Sequence, residues 1–265
     1  MVLAQTIYCN SDITILGIIK GNYEVGLYST SVKIYNLVNS TIASIAWVVM
    51  PQMTKNFNEG NYDEINKLFR YAFNFVVILG LPCVVGINIL CPEIIEIIAG
   101  KEYLGATGSL HILSIALAIS LIGGLIGNVL LLPAMEEKIC LIACVVSAMA
   151  NIILNILFIP KYGITAAAAT TAVSELISLC IAISRVDKKI KLIACSKDLA
   201  GPAIGVLLII LIGKGVAIVT ENLWTKTVLT ILLSILGYFI VLILTRNEFA
   251  KNMSEILFGK CRHKK

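Results

Sequence analysis

Eight long apolar segments joined by short polar links limit what this chain can become. They lie near residues 2–20, 25–50, 68–91, 107–132, 138–159, 163–184, 199–219 and 225–245. Each is long enough to cross roughly 30 Å of hydrocarbon as a helix. In lipid the backbone N–H and C=O groups need partners inside the protein, and a helix supplies them within one segment. The expected fold class is therefore all-α, a polytopic membrane protein of about eight transmembrane helices. Composition agrees: 58% of the 265 residues are hydrophobic and only 14% are charged, where soluble domains carry about a quarter. Mean hydropathy is +0.92.

The links divide the chain. The stretch from Pro51 to Lys67 is polar, and Arg185 to Asp198 is strongly basic. This gives a six-helix lobe over 1–184, a basic linker over 185–198, a further helix pair over 199–246 and a basic tail over 247–265. The opening residues lack the basic stretch and cleavable apolar run of a secretory signal. With the N-terminus placed in the cytoplasm, fifteen of the 21 Lys and Arg residues fall on the cytoplasmic side, five fall outside, and Lys33 lies within a helix. That bias puts both termini in the cytoplasm. It also assigns the net charge of +5 to a membrane face rather than to nucleic acid.

Catalytic and metal chemistry find little support. Cys83, Cys91, Cys140, Cys144 and Cys180 sit singly in apolar segments without Cys-x-x-Cys spacing, and they read as small apolar residues. His111 and His263 stand alone, so no metal site or cofactor is expected. A Gly-rich phosphate loop, a Ser-His-Asp set and paired carboxylates are all lacking, and the chain does not read as an enzyme. Pro92 to Lys101, with Glu93 and Glu96, reads as a short interfacial helix whose carboxylates are solvated. Gly123/Gly127 and Gly201/Gly205 form Gly-x-x-x-Gly pairs suited to close helix contact. Pro82, Pro133 and Pro202 kink or start helices.

Polar residues inside the apolar segments are more informative. Ser29, Lys33, Asn36, Ser40 and Ser44 recur at steps of 4, 3, 4 and 4 and share one helical face. The first segment carries Gln5 and Asp12, with Asn10, Ser11 and Thr14. The fifth carries Ser147, Asn151 and Asn155; the sixth carries Thr171, Ser174 and Ser178, with Glu175 adjacent. Asn151, Asn155 and Glu175 are read as contacts between helices, because Ser, Thr and Asn in membrane helices mostly bond their neighbours. The first two segments are read as cavity-lining, because a lysine and an aspartate are costly in lipid. Counted from the turn at Gly21 and Asn22, Asp12 lies ~13 Å deep and Lys33 ~16 Å deep. Similar depth on adjacent helices predicts an ion pair, either structural or functional.

Several motifs carry a family resemblance. Asn151 and Asn155 precede Pro160-Lys-Tyr-Gly-Ile164, where the fifth helix is expected to end near Pro160 and Lys161 to Gly163 to form the turn. Four alanines, Ala166 to Ala169, and Ser174-Glu175 follow. The stretch from Asp12 through Val25-Gly-Leu-Tyr28 to Met50-Pro51 adds to the pattern. The chain resembles the bacterial polysaccharide (O-antigen and capsule repeat-unit) flippases. Their superfamily also holds the lipid II flippases and the multidrug and toxin extruders.

The resemblance implies two six-helix lobes facing each other across a central cavity, sometimes followed by two extra helices. Residues 1–184 resemble the second lobe and 199–246 the extra pair; the first lobe has no counterpart. The expectation is a truncated product, an internal start, or a half that needs a partner, inserting alone without transporting. The implied function is movement of an undecaprenyl-pyrophosphate-linked oligosaccharide to the outer leaflet of the bacterial cytoplasmic (inner) membrane. Gln5, Asp12, Ser29, Lys33, Asn36 and Ser40 would line the cavity. Lys33 would exchange Asp12 for the pyrophosphate. Coupling to a proton or sodium gradient is likewise implied by resemblance alone. The implied partners are the lipid-linked oligosaccharide, membrane lipids, a first lobe, and glycosyltransferases or a polymerase. Two alternatives stay open. One is half of a cation-coupled multidrug extruder, against which Lys33 weighs. The other is a non-transporting scaffold for polysaccharide assembly enzymes.

Overall fold

A computed structural model describes residues 2–190, 192, 199–220 and 222–245, with side chains from Ser11 onward. The helices are α1 (Val2–Lys20), α2 (Asn22–Ala43), α3 (Ile45–Glu59), α4 (Tyr62–Ile89), α5 (Cys91–Ala99), α6 (Thr107–Leu125), α7 (Glu137–Tyr162), α8 (Ile164–Ser184), α9 (Ala200–Val219) and α10 (Leu223–Leu244). A 3-10 segment, Lys101–Ala106, leads into α6, and a π-helical segment, Ile126–Leu131, ends it. Among the described residues, seven helical segments are long and apolar enough to cross a membrane, with α2 and α3 counted as one. The 19 residues of α1 match them in length.

α6 is the central post, packed against α2, α4 and α8. α7 and α8 form a hairpin on one side, α1 leans on α7, and the α9–α10 hairpin lies against α4. One continuous core runs through α1 to α8, with Leu16, Tyr28, Met53, Ile65, Leu113, Leu117 and Ile159 fully buried. α9 and α10 join through a smaller cluster of Ile78, Ile209, Tyr238 and Leu242, and the Tyr238 hydroxyl donates to the carbonyl of Ile78 at 2.9 Å.

Two prolines do not end helices as their chemistry would lead one to expect. α7 runs through Pro160 to Tyr162. The missing N–H of Pro160 deprives only the Ile156 carbonyl of a partner, and this happens in the exposed last turn. The turn itself is Gly163 alone, at φ 57° and ψ −134°, a conformation that side chains rarely adopt. A Cβ there would also lie 3.4 Å from Glu24 Oε2. Likewise α3 continues through Pro51, so α2 and α3 make a nearly continuous helical segment of 38 residues. At 1.5 Å per residue that is about 57 Å of helix along its path, more than the hydrocarbon thickness requires. The polar stretch after Pro51 is thus helix projecting from the bilayer, not a loop. It ends at Gly60, φ 66°, and the Asn61 side chain accepts from the Glu64 N–H at 3.2 Å to start α4.

The start of the basic linker folds back on this corner. Asp187 accepts from the Tyr62 hydroxyl at 3.0 Å. The Lys189 ammonium stands 4.6 Å from the centre of the Tyr62 ring, and Ile190 is buried. Residues 191 and 193–198 of the linker, and the tail from 246, lie outside the described residues.

The interfacial segment is helix α5, but its carboxylates are not both solvated. Glu93 is buried, with only 7% exposed, and its Oε1 accepts from the Lys226 ammonium on α10. The two glycine pairs differ. A Cβ at Gly205 would stand 2.5 Å from the Tyr238 ring, and one at Gly201 2.5 Å from Thr245 Oγ1, so this pair lets α9 and α10 meet closely. Gly127 has nothing within 4 Å of such a Cβ. Pro202 lies in the first turn of α9 and Pro82 inside α4.

Candidate functional site

The polar residues of the first two helices fall into two groups that point apart. α2 buries Leu27, Tyr28, Ser31, Ile34, Tyr35 and Ile42. Its opposite side exposes Lys33, Asn36, Ser40, Thr41 and Ser44, with Ser29 half-buried above them. The exposed stripe continues into α3 through Trp47 and Val48. It is a lengthwise face of mixed character, with Leu37 exposed among the polar groups, that no other described helix covers, and Lys33 has no ion-pair partner among the described residues.

Asp12 belongs to the other group. It is 6% exposed. Its Oδ2 accepts from the Tyr28 hydroxyl at 2.6 Å and its Oδ1 from the Ile13 N–H at 2.9 Å. Tyr28 Oη is also 3.3 Å from Thr171 Oγ1 on α8. A second chain of bonds runs alongside. The Ser11 hydroxyl donates to Asn151 Oδ1 at 3.2 Å, and the Asn155 amide donates to the same oxygen at 2.9 Å. Thr170 in turn donates to Asn155 Oδ1. Asn151, Asn155, Thr170 and Ser174 are buried. Two parallel chains of side-chain bonds, one through Asp12 and one through Ser11, therefore tie α1, α2, α7 and α8 together, as the cost of unpaired polar groups in lipid requires.

The Asp12–Lys33 ion pair expected from depth does not form. Asp12 meets α2 at Tyr28, and five residues later Lys33 is rotated roughly 140° around the helix. Depth was shared but azimuth was not. Of the remaining expected residues, Asn36, Ser40 and Ser29 stay with Lys33, and Asn151 and Asn155 lie in the chain of bonds that starts at Ser11, beside Asp12. Glu175 sits half-buried on α8, and the side chain of Gln5 lies outside the described residues. The sequence reading passed over Tyr28 and Thr170. Tyr28 shares the buried face of α2 with two other hydroxyl side chains, Ser31 and Tyr35, so spacing alone does not single it out.

A third polar group joins α4 and α6. His111 Nδ1 lies 2.9 Å from Asn88 Oδ1, the Asn88 amide donates to Ser114 Oγ, and that hydroxyl donates to the His111 carbonyl at 2.7 Å. Among the described residues no group of three or more His, Cys, Asp or Glu could hold a metal ion.

Comparison with known proteins follows this geometry. Residues 24–254 match the family described as Lipid II flippase MurJ. A probable low-salt glycan biosynthesis flippase of Haloferax volcanii, Agl15, is 27% identical over 170 residues, covering 63% of this chain and 35% of that protein. The capsular polysaccharide biosynthesis protein CapF of Staphylococcus aureus is 27% identical over 164 residues, covering 60% of this chain and 40% of that protein. A solved structure of a lipid II flippase MurJ in an inward closed conformation has the same fold, with a TM-score of 0.74 at 21% identity. It covers 95% of this chain and 52% of that one. The chain thus spans well under half the length of these curated relatives and about half of the solved structure. The match extends over most of the sequence and the fold agrees, so this multi-pass membrane protein belongs to the MurJ lipid II flippase family.

Proposed function

We propose that the chain is one side of a flippase that carries a lipid-linked oligosaccharide across the membrane, with the exposed face of α2 lining the path of the head group. The observation that carries this reading is the uncovered stripe of Lys33, Asn36, Ser40 and Ser44. A lysine left unpaired on an apolar helix is expensive in lipid and acceptable in a water-filled cavity. There a cation and a row of hydroxyl and amide groups suit a phosphate and the sugars attached to it. The lipid tail needs no such path and stays in the bilayer.

In this reading Asp12 holds α1 against α2 and α8 rather than handing Lys33 to the substrate. The stripe would close against an opposing lobe, and rocking of one lobe against the other would expose it alternately to each side. The carrier lipid would be undecaprenyl pyrophosphate in a bacterial cytoplasmic membrane. Glycosyltransferases or a polymerase would act before or after translocation. The chain itself would perform no bond-making step.

The test is export of lipid-linked glycan by a two-lobe protein carrying this chain as its second lobe, in a host lacking its own flippase. Lys33→Gln should abolish export while protein level is unchanged. Export by Lys33→Gln at the parental rate would sink the reading.

A further inference from the structure

Beyond Lys33 the uncovered face of α2 changes character. Lys33, Asn36, Ser40, Ser44 and Trp47 follow one another at steps of 3, 4, 4 and 3, and all of them are exposed. The helical period keeps them on one side. Trp47 therefore stands in line with the lysine, ~21 Å further along at 1.5 Å per residue. It is 78% exposed and sits where α2 passes into α3, not at a free helix end.

The hydroxyls between these two residues have their donors engaged. Ser40 donates to the Leu37 carbonyl at 3.2 Å, Thr41 to the same carbonyl at 2.7 Å, and Ser44 to the Thr41 carbonyl at 2.7 Å. What remains to meet a bound molecule is their oxygen lone pairs. Lone pairs suit a molecule that brings O–H or N–H groups. They do not suit a phosphate, whose oxygens are themselves acceptors. Only the lysine end of the face suits that group.

Leu37 and Val48, each 70% exposed, lie beside the hydroxyls. A sugar ring matches a face of this mixed kind. It carries hydroxyl donors around its edge and C–H bonds across its flat sides, and those C–H bonds meet the negative face of an indole. Tryptophan also marks head-group depth on surfaces that face lipid. Trp47, however, continues a face that begins with a lysine, which lipid would penalise.

We propose that this face holds the head group in a fixed order. Lys33 takes the pyrophosphate, Ser40, Thr41 and Ser44 accept from sugar hydroxyls, and Trp47 stacks on a sugar ring further from the carrier. The inference rests on the reading that this face lines the path of the head group, and it adds an orientation: phosphate toward the bilayer middle, sugars toward the corner where α3 meets α4. A single sugar does not span the ~21 Å from Lys33 to Trp47. Trp47 is thereby a specificity residue that favours head groups of several sugars.

The experiment uses the full chain in detergent with Trp224→Phe, which leaves Trp47 as its single tryptophan. Three probes share one carrier: bare undecaprenyl pyrophosphate, the same lipid bearing one N-acetylglucosamine, and the same lipid bearing a tetrasaccharide of N-acetylglucosamine. The tetrasaccharide lipid should shift Trp47 emission to shorter wavelength and shield it from acrylamide, and the two shorter probes should not. By native mass spectrometry the tetrasaccharide lipid should be retained over the single-sugar lipid about fivefold, the worth of one aromatic stack. Trp47→Leu should erase that preference and Trp47→Phe should keep most of it; the side chain is exposed, so neither change disturbs packing. Lys33→Gln should weaken retention of the bare carrier about tenfold whatever Trp47 does, so the wider reading of the face is measured separately. Emission moved equally by the bare carrier would place Trp47 against lipid and overturn the proposal. Emission that no probe moves would overturn it too, even where retention of the bare carrier depends on Lys33. An equal response to one sugar and to four would overturn the order along the face.

Discussion

At the scale of the residue, the two charged groups inside the first two helices do different work. Asp12 is a buried carboxylate that holds two donors, while Lys33 is an exposed cation on the far side of α2. Tyr28→Phe should remove the 2.6 Å donor and leave a buried carboxylate under-bonded, lowering stability by about 1.5–3 kcal/mol. Combined with Asp12→Asn, the losses should fall short of additivity by ~1 kcal/mol or more, since both changes strike one bond. Lys33→Gln should stay within ~0.5 kcal/mol of the parent, because no described residue pairs with it. Thermal unfolding in a fixed detergent measures all three. A marked loss in Lys33→Gln would restore the ion pair that the depth argument called for. Both residues stand out in the sequence, because charges are rare in apolar helices. Their pairing was misread because 1.5 Å of rise per residue fixes depth, whereas the partner is chosen by rotation.

At the scale of the element, local signals succeeded where the chain solved its backbone bonding locally. The polar face of α2 was readable from steps of three and four. Gly163 stands at the tight α7–α8 turn. The same signals failed at Pro51 and Pro160, where a proline in the middle or last turn of a long helix is tolerated. They failed again at α5, where Glu93 meets a lysine 133 residues away in sequence. The basic linker shows the same limit: its charges were legible, but not its docking on Tyr62. The Asp187 carboxyl is held below the usual aspartate range, first by the Lys189 N–H and then by the Tyr62 hydroxyl. A depressed value means that the contact stabilises the docked linker above the unfolded value, near 3.9. The contact is lost only as pH falls through the lower folded value. Tyr62→Phe should therefore cut hydrogen-exchange protection at the Lys189 amide roughly threefold at neutral pH, and the difference from the parent should persist to pH ~4 and close below it. A difference that disappears between pH 7 and 5 would show that another group holds the linker.

At the scale of the whole molecule, the two ends of the bundle are defined by contacts as well as by alternation of spans. Tyr62, at the start of α4, touches Asp187 and Lys189 after α8, and one cavity joins this corner to Glu136 before α7 and to Arg185. At the opposite end, Tyr23 reaches the Glu102 carbonyl at 3.4 Å. There Glu24 stands against Gly163, and Lys226 meets Glu93. The described lysines and arginines divide unevenly between these ends. Lys55, Lys67, Arg70, Lys138, Arg185, Lys188 and Lys189 gather at the first, whereas Lys20, Lys101, Lys161, Lys214 and Lys226 are spread thinly over the second. The first end is therefore expected in the cytoplasm. α10 runs from the second end back to the first, so a reporter fused after Lys265 should read as cytoplasmic. One inserted at Asn222, in the α9–α10 turn, should read as external. Fluorescent and alkaline-phosphatase reporters at both positions give four readings, of which two should be positive. Phosphatase activity after Lys265 together with fluorescence at Asn222 would invert the molecule and place α5 and the α9–α10 turn on the cytoplasmic side. Phosphatase activity at both positions would mean that α10 does not cross, despite its 22 apolar-rich residues, and would undo the α9–α10 hairpin that packs on α4.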